Sequence, residues 1–321
     1  MFLLVVWWRP AQSDVYSETI ASARYSYTAP PPGAPWITVA IPTYRRAACL
    51  KKILPSYLAS PAVGKIVISD DFGSNDTAEL RVWLAEAGVP ASAVDLIDAA
   101  PAKLGAMRNK IRAARAAARW SAWIALLDSD NTATHEEYFE PLRAAWIAAG
   151  YSVPPSDPIA ERRIFAASRY YVPKQVPWAC RALFGGLGAW LWPRSLCALP
   201  APHVADFSFL EAEGHAVTRA NFNRIYPHKA AGGLLNDANN VFHRRLLDVW
   251  EPLAAGSVAD PPGIDALFLY RNAIFNGFSL VIVPGMAYTH PVSDDSFYMK
   301  HDGKVIDAFI AEHSLSHMEP V

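Results

Sequence analysis

The sequence predicts an α/β protein, with a mainly parallel central sheet flanked by helices and a smaller second part built onto the same sheet. Three observations carry that prediction. From Trp36 to Leu127, short apolar runs alternate with longer helical stretches, the pattern of repeated strand–helix units. Two of those runs end in acidic residues: Ile66-Val67-Ile68-Ser69 leads into Asp70-Asp71, and Ala125-Leu126-Leu127 leads into Asp128-Ser129-Asp130. Beyond Gly150 the texture changes to prolines, aromatics and shorter apolar runs, with no internal repeat. The expected divisions are residues 1–35 as an N-terminal extension, 36–149 and 150–295 as two halves, and 296–321 as a C-terminal tail.

The extension opens with Met1-Phe2-Leu3-Leu4-Val5-Val6-Trp7-Trp8 and closes in a Pro-rich stretch, Ala29 to Pro35, that favours extended backbone. The opening run is too short to span a bilayer, so no transmembrane segment is expected. It lacks the basic start of a secretory signal, although Ala21-Ser22-Ala23 would suit a cleavage site. An added strand or a surface-docking segment is the expectation.

Strands are expected at Ile37–Ile41, Lys65–Ser69, Val94–Ile97 and Ala122–Leu127, with helices at about 46–58, 77–87 and 102–119 between them. Asp76 and Glu79 stand at capping-box spacing for the second helix. Leu104, Met107, Ile111, Ala114 and Ala118 share one face of the third, which is the stripe of a helix packed on a core. A fourth helix at about 135–149 has Thr134 and Glu137 at the same cap spacing and stops at Gly150. Pro141 should kink or shorten it. In the second half, Arg163–Val172 and Leu280–Val283 read as strands, and Asn240–Trp250 and Ile264–Asn276 as helices.

A formal net charge of −1 over 321 residues argues against a protein built to grip nucleic acid. The three cysteines, Cys49, Cys180 and Cys197, lack metal-site spacing and cannot all pair with one another. Reduced thiols in the cytoplasm are the expectation, with peripheral contact to a membrane as an open alternative.

Open α/β sheets bind ligands at the carboxyl ends of their strands. An acidic pair one residue apart at such an end seats a hard divalent cation that also holds phosphate oxygens. Asp128-Ser129-Asp130 has that form, and Pro42-Thr43-Tyr44-Arg45-Arg46 follows the first strand as a polar loop. Together with Asp70-Asp71, these segments resemble the nucleotide-sugar-binding half of a family 2 glycosyltransferase with the GT-A fold. The resemblance covers residues 36–131 well and 232–290 loosely.

The resemblance implies a role for each motif. Pro42, Thr43, Tyr44 and Arg46 would line the nucleotide site, and Asp71 would accept a hydrogen bond from the base. Lys103-Leu104-Gly105-Ala106-Met107-Arg108-Asn109 resembles the family's glycine and Arg-Asn element, with one residue fewer between them; Arg108 would then face the donor phosphate or base. Asp128 would reach the ribose or the metal shell, and Asp130 would bind Mn²⁺ or Mg²⁺. Gly277 to Pro284 and then Tyr288-Thr289-His290 resemble the family's final strand, proline and histidine, which makes His290 a third metal ligand.

The base that deprotonates the acceptor belongs at the start of the helix before that strand, where Gly263-Ile264-Asp265-Ala266 carries one carboxylate in place of the usual pair. Asp265 is the first candidate and Asp237, in an Asn-rich stretch that resembles the family's acceptor-side segment, is the reserve. Trp178, Trp190 and Trp192 flank Phe184-Gly185-Gly186-Leu187-Gly188 and would offer a platform to the acceptor or fill the core between the halves. The polar stretch Pro291–Tyr298 could close over bound donor.

The expected activity is metal-dependent transfer of a sugar from a nucleoside-diphosphate sugar, first of all a UDP-sugar, to a hydroxyl of a glycan, lipid or small molecule, with inversion. Residues 36–149 would be the nucleotide-sugar-binding half and 150–295 the acceptor-side half. A non-catalytic nucleotide-sugar-binding protein on the same fold is the alternative. Asp128-Ser129-Asp130-Asn131-Thr132 also matches the opening of haloacid-dehalogenase-type phosphatases, but that motif usually opens its domain and here follows about 90 residues of α/β pattern.

Overall fold

The computed structural model describes residues 35–172, 203–206, 210, 214–225, 239–255 and 265–290. Among the described residues, nine strands form one sheet in the order β3-β2-β1-β4-β8-β5-β9-β7, with β6 paired to β5 beyond β8. They are β1 (Ile37–Thr43), β2 (Val63–Asp70), β3 (Val94–Ile97), β4 (Trp123–Leu126), β5 (Arg163–Val172), β6 (His203–Asp206), β7 (Ala216–Val217), β8 (Asn240–His243) and β9 (Ser279–Thr289). The helices are α1 (Ala47–Leu58), α2 (Asp76–Glu86), α3 (Ala106–Ala117), α4 (Glu140–Ala148), α5 (Leu247–Ala255) and α6 (Asp265–Phe275), with a single turn at Phe222–Ile225.

The pairings show that β1, β2, β3, β4, β5 and β9 run in one direction, whereas β6, β7 and β8 oppose them. The sheet is therefore mostly parallel. It is also continuous: β8 lies antiparallel between β4 and β5 and joins the first four strands to the rest.

Alternating side chains along each strand supply two cores. On β4, Trp123 and Ala125 face one core, as does Leu127 just after it, and Ile124 and Leu126 face the other. On β5, Phe165 and Ala167 oppose Ile164 and Ala166 in the same way. Such two-sided burial is why these strands read as continuous apolar runs. Leu50, Ile53, Leu54 and Tyr57 of α1, Leu80 and Leu84 of α2, and Leu142 and Trp146 of α4 cover the first face. Met107, Ile111 and Ala114 of α3, Trp250 of α5, and Leu267, Tyr270 and Ile274 of α6 cover the second. On the first face Trp146 packs against Trp36 and Trp123 with ring centroids 4.9 Å apart in each case.

Three local expectations are corrected. Residues 240–243, expected in a helix, form β8, and the helix starts only at Leu247 after a 3₁₀ turn at Arg244–Leu246. Val241 and Phe242 point to opposite cores, a placement that short apolar runs do not reveal by periodicity. The helix expected over 135–149 begins as a π turn at His135–Phe139, and α4 proper starts at Glu140 with Pro141 in its first turn. Thr134 does cap that turn, its Oγ1 accepting from the Glu137 amide at 3.3 Å. Finally, Asp76 does not cap its own helix, as described below.

β9 is longer than its sequence signal. It pairs with β5 up to Val283 and resumes at Ala287, the irregularity falling at Pro284-Gly285-Met286. This extension carries the chain to His290 at the edge where β1, β2 and β4 end. Strand order reverses between β1 and β4, and ligands of open α/β sheets bind at such a switch point.

Candidate functional site

The β1–α1 loop is built first, by a carboxylate from elsewhere. Asp76, 3% exposed at the start of α2, accepts from Thr43 Oγ1 at 2.6 Å, from the Arg46 amide at 2.9 and 2.8 Å, and from the Ala47 amide at 3.0 Å. It thereby satisfies the orphan amides at the N-terminus of α1. Arg45 sits in the left-handed region at φ 56°, a conformation rare for a long side chain. Its amide donates to Ser74 Oγ at 3.1 Å, and its guanidinium reaches the Gly73 carbonyl at 3.4 Å. The loop is held in a strained shape by its neighbour, and Tyr44 projects from it, 45% exposed.

Asp71 ties the next loop to α3. Its Oδ1 accepts from the Phe72 amide at 2.7 Å and the Leu104 amide at 2.9 Å, and its Oδ2 from the Gly105 amide at 3.1 Å. Gly105 has φ 80°, which a side chain would disfavour. Asn109 then staples two strands: its Oδ1 accepts from Ser69 Oγ at 2.7 Å, and its Nδ2 donates to the Thr43 and Ser69 carbonyls at 3.2 and 3.0 Å. The asparagine of the Arg-Asn element is thus buried framework. Arg108 turns its Nε toward the Ala254 carbonyl of α5, 3.4 Å away.

The acidic edge follows β4. The Asp128 amide donates to Asn239 Oδ1 at 3.0 Å, which anchors the start of the turn to the residue before β8. Asp130 lies 3.7 Å from the Arg46 guanidinium. Burial and the charge of Asp128 push the Asp130 carboxyl above its ordinary range, against the opposing pull of His290 and Arg46. Backbone bonds of 2.9 and 2.8 Å between Thr132 and Thr289 bring the end of β9 alongside. His290 Nδ1 lies 2.6 Å from Asn131 Oδ1. With that oxygen as acceptor, Nδ1 is the donor and Nε2 is the ring nitrogen left to face another partner.

Lys110 of α3 joins the edge to α6. Its ammonium lies 2.5 Å from Asp265 Oδ2 and 3.4 Å from Asp128 Oδ1, and the residue is 7% exposed. Burial opposes the charge, but Asp128 and Asp265 outweigh it and hold the lysine well above its ordinary range. Asp265, at the first position of α6, therefore turns inward toward Asp128.

Sequence reasoning missed Lys110, Asp76 and Tyr57, whose hydroxyl donates to the Asn131 carbonyl at 2.6 Å. A signal for Lys110 existed: it lies three residues after Met107 and four before Ala114, inside an apolar stripe. Asp237 and the three tryptophans Trp178, Trp190 and Trp192 lie outside the described residues, as does 291–298. Among the described residues, no three His, Cys, Asp or Glu side chains already stand together as a metal-holding group. No helix among them is long and apolar enough to cross a membrane.

No protein-family model matches the sequence, and no curated protein does. Solved structures do match. The structure of residues 1–349 of S. aureus TarS in complex with UDP-GlcNAc superposes with a TM-score of 0.51 at 14% identity, over 89% of this chain and 68% of that one. The same fragment with UDP gives 0.47 at 15% identity, over 89% and 67%. TarS is a GT-A-type, family 2-like glycosyltransferase. With its switch point between β1 and β4 and its acidic turn after β4, this chain has the GT-A-type fold.

Proposed function

We propose that this protein is a glycosyltransferase that moves a sugar from a nucleoside-diphosphate sugar, first of all a UDP-sugar, to a hydroxyl acceptor with inversion. The observation that carries the reading is the convergence of Asp265, from α6, on the Asp128–Asp130 turn through the buried Lys110. The UDP-GlcNAc held by the structural neighbour supports the choice of donor.

The β1 loop, shaped by Asp76, would present Tyr44 and Arg46 to the nucleotide, with Asp71 beside it. Asp265 takes the proton of the acceptor hydroxyl as that oxygen attacks the anomeric carbon opposite the leaving group. The bond from the sugar to the diphosphate breaks, and the nucleoside diphosphate departs with the electron pair. Attack from the opposite face inverts the anomeric centre.

Asp130, with Asp128 and the Nε2 of His290, fits a hard divalent cation such as Mn²⁺ or Mg²⁺ by donor chemistry. Such a cation, when bound, neutralises charge on the diphosphate.

The test is a panel of UDP-, GDP- and dTDP-sugars with Mn²⁺ or with chelator, read by thermal shift and by nucleotide release. A UDP-sugar should stabilise the protein most in Mn²⁺. Asp265→Asn should lower turnover by about 10²–10⁴-fold with donor binding nearly intact. Binding without turnover in the wild type would make this a nucleotide-sugar-binding protein. Absence of binding to every donor would overturn the reading.

A further inference from the structure

We propose that Lys110 is a positioning residue for transfer: its buried ammonium clamps Asp265 of α6 to Asp128 of β4 and so sets the base at a fixed distance from the donor edge. The proposal rests on the reading of Asp265 as the base. Lys110 and Asp265 are 155 residues apart and come from different halves of the chain. Helix α3 packs on β1 and β2, which frame the nucleotide side, and α6 packs against α3, α5 and β9 in the same core with Leu267, Tyr270 and Ile274.

The chemistry of the position favours a bridge over simple neutralisation. An ammonium has three donors, and here two carboxylates from separate elements face it. A buried lysine without partners is costly, so this ion triad holds only while all three elements stay in register. Asp265 Oδ2 is occupied by Lys110, which orients the carboxylate. Lys110 is separated by one residue from Arg108, the cation that the family resemblance singles out, whose Nε lies 3.4 Å from the Ala254 carbonyl.

The experiment is a double-mutant cycle on the full chain with UDP-GlcNAc as donor and water as acceptor, UDP release being the readout. The variants are Lys110→Met, Asp265→Asn and both together, with UDP affinity measured on each. Lys110→Met should lower kcat about 10–100-fold while the UDP Kd and the donor KM change less than about threefold. In the Asp265→Asn background the same change should alter kcat less than about threefold. Lys110→Met alone leaves the Asp128 and Asp265 carboxylates facing one another, whereas the double variant leaves only the partly exposed Asp128 without its ammonium and so keeps the fold.

An equal fall of kcat in both backgrounds would overturn the proposal, since Lys110 would then act independently of Asp265. A weaker UDP Kd with unchanged kcat would also overturn it and assign Lys110 to the diphosphate. A wild type that neither binds nor turns over any nucleotide sugar would overturn the glycosyltransferase reading, and the clamp with it.

Discussion

Replacing Asp76 by alanine tests the frame on which the nucleotide loop stands. The carboxylate takes the Arg46 and Ala47 amides at the start of α1 and the Thr43 hydroxyl at the end of β1, and it is 3% exposed. Loss of a helix cap costs about 1–2 kcal/mol. Stranding a buried polar partner such as the Thr43 hydroxyl adds about 1–3 kcal/mol. Part of the second cost is recovered by water entering beside half-buried Arg46, so the expected loss is about 2–4 kcal/mol. Urea unfolding followed by tryptophan fluorescence measures it, because Trp36, Trp123 and Trp146 pack together within the core on the α1 face. The transition midpoint should fall with little change in slope. The same variant should also weaken UDP, since the loop bearing Tyr44 and Arg46 loses its anchor. Asp76→Asn, which keeps one acceptor oxygen, should fall between the wild type and the alanine variant. A stability change under about 0.5 kcal/mol would refute the reasoning, because a surface substitution costs no more than that.

Asp130→Asn should lower nucleotide-sugar affinity in Mn²⁺ toward the value measured with chelator; equal affinities of wild type and variant in Mn²⁺ would sink the metal role. Asp71→Ala should raise the metal-free UDP Kd about 5–100-fold, since three loop amides lose their acceptor and any base contact goes with them. An unchanged Kd by calorimetry would leave Asp71 as a loop tether only. His243 supplies a pH prediction. Burial, with Arg244 and Arg245 nearby, lowers its pKa from 6.5 to about 4. The unfolded chain then takes up the proton first, so this contribution is fully present above pH 6.5 and is lost as pH falls toward 4, by about 2–3 kcal/mol. His243→Asn, which keeps an acceptor for the Arg245 amide, should flatten that part of the stability–pH curve; a curve identical to wild type would refute it.

The first half of the fold, and the acidic residues at its edge, were legible in the sequence. Strands buried on both faces must be continuously apolar, so β1, β2 and β4 were legible, and with them the placement of Asp70-Asp71 and Asp128-Ser129-Asp130 at carboxyl ends. The Thr134 cap and the stop at Gly150 were legible because such signals are local.

Tertiary structure decided the rest, because long-range partners leave no periodic trace. β8 is a strand only because β4 and β5 offer it two edges. Asp76 has the spacing of a cap for its own helix, yet it is the first residue of α2, Asp70 takes the Thr77 amide, and the Asp76 carboxylate serves the amides of α1. His290 meets Asn131 because a strand pairing extends past Pro284, far beyond its apolar signal. Lys110 shows the limit most sharply. Lysine suits a helix, but burying its charge in an apolar stripe is costly, and the two carboxylates that folding brings against it offset that cost.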